Sequence, residues 1–200
     1  PPLDHAAMPR RYVQLDVFAS RPGAGNPLAV VLDAEGLDDA AMQAIAKWTR
    51  LPETTFVFSA VSDDATHRIR IFSPRREVPF AGHPSVGTAH ALLDAGLIAP
   101  HDGFVVQDGI AGKLPLKVTG EGAERTVAVR TPRARVQEIA TPDDPRLRDA
   151  LSGLELGRLP PVLMDGGRRW WLAEVRDEAA LRRATPHWEA SLARARAPER

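Results

Sequence analysis

Apolar and polar residues alternate at the period of a half-buried strand over residues 12–18 (YVQLDVF) and over HRIRIFSP, where Ile69 and Ile71 share the inward side. The same alternation returns over residues 125–130, and residues 103–108 and 113–118 are strand-like pieces separated by Gly109 and Gly112. PLAVVLD is apolar almost throughout, as a central strand is, and LPETTFVFSA is a short turn holding Glu53 followed by β-branched and aromatic residues. Two helices interrupt these strands. Asp38 or Asp39 caps the first, which runs to about Arg50 with Leu37, Met42, Ile45 and Ala46 as its apolar stripe. The second, over residues 83–96, organises the chain. His83 is expected at its N-cap, Pro84 at its first helical position and Gly96 at the left-handed position that closes it. Val86, Gly87, Ala89, Ala91, Leu92 and Leu93 leave this helix with almost no charged face, so it is expected to be buried all round. Its N-terminus, with unsatisfied N–H groups and partial positive charge, suits a carboxylate or an oxyanion beside Gly82 and His83.

Downstream, TPRARVQEIATPDDP is proline-rich and polar, a passage between lobes. A short helix at residues 146–151 precedes a strand, tight turn and strand in LGRLPPVLMDGGRRWWLAEV. A helix then starts at Asp177, and a last one is expected in TPHWEASLARARAPER. NPLAVVL with its following helix is echoed by RRWWLAEV with EAALRRA, a strand–turn–strand–helix order used twice. The expected fold class is therefore α+β, with residues 10–131 as an N-terminal lobe around the buried helix 83–96 and residues 132–200 as a partial C-terminal lobe.

Composition narrows the function. The 200 residues hold 26 Lys+Arg against 26 Asp+Glu, a balance that favours neither nucleic acid nor an anionic membrane as partner. The longest apolar run, residues 27–32, is strand-sized, far short of a membrane span. No charged-then-apolar leader pattern opens the chain, so a cytoplasmic location is expected. With no cysteine, disulfides, thiolate metal sites, cysteine nucleophiles and racemisation by paired thiols are all excluded.

Several motifs fall away on their context. Gly23 and Gly25 imitate a dinucleotide fingerprint, but Leu28 stands in place of the third glycine and a strand follows instead of a helix. Ser85 has Gly87 two residues on but His83 two residues before, so it is half of a nucleophile elbow, and no triad can be assembled around it. His90 reads as a core histidine, and no histidine or carboxylate spacing supports a metal. Trp170 and Trp171, as strand neighbours, point to opposite faces, and the arginine-rich C-terminus reads as a solvated helix face. Two candidates remain. Glu53 sits at the mouth of a strand, where an apolar cleft would raise its pKa and suit it to taking a proton from carbon and returning it elsewhere. His83 lies where a helix N-terminus meets a glycine, placed to hold a carboxylate or assist proton transfer.

The stretch DVFASRPGAGNPLAVVLDAEGLDDAAMQAIAKWTRLPETTFVF, followed by RIRIFSPRREVPFAGHPSVGTAHALL, closely resembles the phenazine-biosynthesis isomerase (PhzF-like) family, which shares the diaminopimelate-epimerase fold. The likeness is almost unbroken over residues 12–96 and weak to about Trp188; GNPLAVV, ETTFV and PFAGHP in this order are highly specific. The resemblance implies two lobes whose strands curl around a central helix, an active site at the helix N-termini between the lobes, and no cofactor. It matches the family's acid–base carboxylate to Glu53 and the histidine of its AGHP turn to His83. Gly82, Pro84 and Ser85 then join His83 as the substrate-binding set. The implied reaction moves a proton between carbons of a small carboxylated substrate, as the best-known member does with a dihydro-hydroxyanthranilate.

Two departures stand out. Pro52 replaces the serine usual before the glutamate, removing a hydroxyl and a backbone donor. The EDP-x-TGSA-like turn of the second lobe has no counterpart, so that lobe is expected to be incomplete. Exposed strand edges and apolar surface would then favour a homodimer. A catalytically silent protein that keeps a small-anion pocket, for binding or assembly, is the alternative.

Overall fold

Residues 9–184 are described by the computed structural model, apart from Pro132, Pro142, Gly167 and Arg168, and they fall into two units, Pro1–Thr131 and Pro132–Arg200. The helix expected over residues 185–200 lies outside the described residues. The class is α+β.

In the first unit, β1 (Tyr12–Val17) and β2 (Asn26–Val31) form an antiparallel hairpin. Helix α1 (Asp39–Thr49) then carries the chain over to β3 (Glu53–Phe58), which runs parallel to β2. Next come β4 (His67–Phe72), the two-residue β5 (Glu77–Val78) and helix α2 (Gly82–Asp94). Strands β6 (Phe104–Asp108), β7 (Leu114–Thr119) and β8 (Thr126–Val129) close the unit. The sheet order is β1-β2-β3-β4-β6-β7-β8, with β5 beside β4; β4 and β6 are parallel and the other neighbours antiparallel, β2–β3 excepted.

The two helices take opposite faces of this sheet. Met42 and Ala46 of α1 pack with Val31, Phe56, Phe58 and Phe72. Val86, Ala89 and Leu92 of α2 pack with Leu28, Val57, Ile69 and Leu116 among others. Because strand side chains alternate, β3 sends Phe56 and Phe58 toward α1 and Thr55 and Val57 toward α2. Ile69 and Ile71 of β4 face α2 as the alternation required. Asp38 caps α1, its side chain accepting from the Ala41 N–H at 2.7 Å. Arg70 forks onto Glu77 and reaches Asp39, each at 2.6 Å, tying β5 and the start of α1 to β4.

The start of α2 differs from expectation. Its N-cap is Ala81, so Gly82, His83 and Pro84 are the first three helical residues. Proline is tolerated this deep because the first four N–H groups of a helix have no intrahelical acceptor. The other end holds: Gly96 is left-handed (φ +65°), with Leu97 N–H bonded to the Leu92 carbonyl and Gly96 N–H to that of Leu93. Helix α2 is buried without a break from His83 to Ala89. His90, expected in the core, is partly exposed. The sheet curls around α2 from β1 to β8, which do not pair with each other, and His90 faces the seam they leave.

The second unit holds β9 (Arg135–Ile139), α3 (Arg148–Leu151), β10 (Val162–Asp165), β11 (Arg169–Leu172) and α4 (Glu178–Arg183), its sheet ordered β11-β10-β9 and antiparallel. Strand β9 corrects the reading of TPRARVQEIATPDDP as a passage alone. Its side chains are mostly exposed, so they carry little of the apolar alternation that marks a strand. Asp177 caps α4, accepting from Ala180 N–H at 2.7 Å. Hairpin-then-helix, as β1–β2–α1 and β10–β11–α4, thus occurs twice.

Candidate active site

Glu53 opens β3 on the side of Thr55 and Val57, which faces α2, and His83 is the second residue of that helix. Both are buried, at 6% and 8% exposure. Oε2 of Glu53 and Nε2 of His83 stand 3.5 Å apart, longer than a normal hydrogen bond, and no hydrogen-bond partner meets this Nε2 among the described residues. The other ring nitrogen, Nδ1, lies 3.1 Å from Asn26 Nδ2. Burial holds the His83 imidazole below its ordinary pKa, against a hydrogen bond to the Pro27 carbonyl that pulls the other way. Burial thus favours the neutral form of the ring.

Topology explains why these residues meet. Leu28 of β2 is the register partner of Glu53, so the start of β2, with Asn26 and Pro27, lies beside the start of β3. Helix α2 is held over β3 by the buried hydroxyls of Thr55 and Thr88, 2.8 Å apart. That contact lies about a turn and a half beyond His83 on the same helix.

Ser85 turns inward, its hydroxyl and its N–H both directed at the Ala81 carbonyl, at 3.0 and 3.2 Å. Pro84 brings no N–H. The donors that α2 itself leaves unused at this end are thus the amides of Gly82 and His83. Pro52 precedes Glu53 in the chain and contributes neither a hydroxyl nor an N–H there. Asn26 is the residue that sequence reasoning passed over. Its signal was its place at the end of the GAGN turn, one step before a strand whose neighbour begins with Glu53. No group of three His, Asp or Glu side chains converges as a metal set among the described residues. No helix among them is long and apolar enough to cross a membrane.

A family model described as "Phenazine biosynthesis-like protein" matches residues 15–197. "Antisense-enhancing sequence 1" of Schizosaccharomyces pombe is 34% identical over 183 residues, covering 89% of this chain and 62% of that protein. "Trans-2,3-dihydro-3-hydroxyanthranilate isomerase" of Pseudomonas aeruginosa is 51% identical over 82 residues, 41% of this chain and 29% of that protein. Among solved structures, a PhzF-family phenazine biosynthesis protein of Bacillus anthracis superposes with a TM-score of 0.71 at 28% identity. That match covers 90% of this chain and 60% of the other. The chain spans less than two thirds of the length of each of these proteins.

Proposed function

Since the chain belongs to the phenazine biosynthesis-like (PhzF) family, we propose that it is a cofactor-independent isomerase in which Glu53 moves a proton between carbons of a small carboxylated substrate. The observation that carries this reading is the buried pair of Glu53 and His83 at the N-terminus of α2. The ionised carboxylate of Glu53 takes a proton from a substrate C–H, and the resulting carboxylic acid returns it to another carbon of the same molecule. No net redox change occurs, so no oxidant or cofactor is required. A neutral His83 suits this scheme, because an imidazolium beside Glu53 would stabilise the carboxylate and weaken it as a base. The Gly82 and His83 amides offer donors to the substrate carboxylate or to the charge that develops as the proton leaves. Asn26 keeps the imidazole oriented through Nδ1. The 51% identity with a trans-2,3-dihydro-3-hydroxyanthranilate isomerase makes that compound the first substrate to try.

The test is incubation with trans-2,3-dihydro-3-hydroxyanthranilate in deuterated water, beside the Glu53→Gln protein. Product with deuterium at the reprotonated carbon is expected, with a rate loss of at least about a hundredfold in Glu53→Gln, since general-base catalysis contributes roughly 10²–10⁴-fold. Equal turnover by the variant would remove Glu53 from the chemistry. Binding without exchange in either protein would favour the alternative of a silent small-anion binder.

A further inference from the structure

Asn26 and Pro27 both meet the His83 imidazole, the first with its amide nitrogen 3.1 Å from Nδ1 and the second through its carbonyl. Where that ring points therefore depends on where β2 begins. Asn26 forms the last register pair of the β1–β2 hairpin, with Val17, and the connection before it, residues 18–25, lies outside the ladder. The end of a ladder is where it opens most readily, so this end gains from a hold of its own. The sequence RPGAGN and one carboxylate of β1 supply it.

Residues Arg21 to Ala24 have the marks of a type II turn. Pro22 presets φ at the second position, Gly23 takes the left-handed third position (φ +78°), and the Ala24 N–H closes onto the Arg21 carbonyl at 3.3 Å. Such a turn is stiff, but its own bonds do not fix where it sits. Asp16 does that. Its Oδ2 accepts the same Ala24 N–H at 3.0 Å, the shorter of the two bonds and the one to a charged acceptor. Its Oδ1 lies against Gly25, where a Cβ would stand 2.6 Å from it and 2.4 Å from the Val17 carbonyl oxygen. Glycine alone lets the chain pass so close on its way into Asn26. Leu15 and Val17 face α2, so Asp16 points from the other face of β1 and reaches the His83 ring only through this turn.

We infer that Asp16 is a positioning residue for the Glu53–His83 pair: its carboxylate pins the Arg21–Ala24 turn to β1 and so sets where Asn26 and Pro27 meet the imidazole. It acts through β2 and touches neither Glu53 nor His83. The inference rests on the isomerase reading in one respect, that the setting of the ring then matters for turnover.

The test reads the imidazole itself. The full chain is labelled with ¹⁵N-histidine, and the ring nitrogens of His83 and His67 are followed at neutral pH, assigned by their loss in His83→Gln and His67→Gln. A ring held in one tautomer keeps its two nitrogen shifts far apart, and a ring that loses its partners mixes tautomers and brings them together. Asp16→Ala is expected to narrow the His83 separation, and Asp16→Asn, which keeps an acceptor for Ala24, to leave it near the parent's. Gly25→Ala keeps Asp16 but drives a Cβ against the Val17 carbonyl, so it should narrow the separation too, and the test does not hang on one variant folding. His67, on β4, is the control and should not move. In turnover of trans-2,3-dihydro-3-hydroxyanthranilate, kcat should fall at least about tenfold in Asp16→Ala and recover in Asp16→Asn. Unmoved His83 shifts in both Asp16→Ala and Gly25→Ala would overturn the inference. So would equal narrowing by Asp16→Asn, His67 moving together with His83, or an unchanged kcat beside narrowed shifts. A parent protein without deuterium exchange would instead remove the isomerase reading and leave the imidazole shifts as they are.

Discussion

At the scale of single residues, His67 has the environment least suited to a charge. It is 2% exposed on the α2 side of β4, with Nδ1 2.9 Å from Thr66 Oγ1 and Nε2 buried without a hydrogen-bond partner among the described residues. Burial pushes its pKa down to about 4 from 6.5. The folded state therefore binds this proton more weakly than the unfolded chain does. As pH falls below 6.5 the unfolded state is protonated first, so stability drops until about pH 4, where the folded state takes the proton too. A shift of this size corresponds to about 3 kcal/mol. His83, also depressed by burial, acts in the same direction. Urea unfolding of the parent and of His67→Gln across this pH window should therefore show a flatter stability profile in the variant. Parallel profiles would mean that His67 is not buried neutral.

At the scale of elements, the approach of α2 to the β1–β2 hairpin rests on Gly87. A Cβ built there would lie 2.7 Å from Val17 Cγ2 and 2.7 Å from Leu28 Cδ2, both in side chains packed in the core. Gly87→Val should cost about 3 kcal/mol by overpacking, far more than the few tenths by which valine improves helix propensity over glycine. An unchanged urea midpoint would show that the hairpin can withdraw. The role of Gly87 was only half legible: its place in a helix without a charged face signalled burial, but which strands come close depends on sheet order. The same division runs through the fold. Local signals announced α1 through Asp38, the end of α2 through Gly96 and β4 through Ile69 and Ile71. Nonlocal pairing was invisible, including the parallel β2–β3 and β4–β6 neighbours and the edge seam that exposes His90. Strand β9 was missed because an exposed strand carries little apolar signal. Glu53 and His83 stood out from their motifs, but their 3.5 Å approach and the part of Asn26 follow from β2, β3 and α2 being brought together.

At the scale of the whole molecule, the two units differ in what holds each together. Both apolar clusters among the described residues lie in Pro1–Thr131, one on each face of its sheet. In that unit β3 is buried along its whole length. In Pro132–Arg200 no residue of β9, β10 or β11 is fully buried, and even the central β10 is only partly so. Arg146 there bonds Asp144 and Glu138 and lies over the Trp171 ring, but such partly exposed ion pairs contribute little, roughly 0–1 kcal/mol each. Apolar burial is the dominant favourable term in folding, so the smaller sheet should open at lower free energy than the larger one. Native-state amide hydrogen exchange of the full chain tests this. The amides of β3 and β4 should exchange only through global unfolding, and those of β10 through a cheaper local opening at least about tenfold more populated. Denaturant should speed the β10 amides weakly at first, since little surface is exposed in that opening, and the β3 amides steeply throughout. If the two sets instead share one free energy and one denaturant slope, the chain unfolds as a single cooperative body and the burial difference between its units has no energetic consequence.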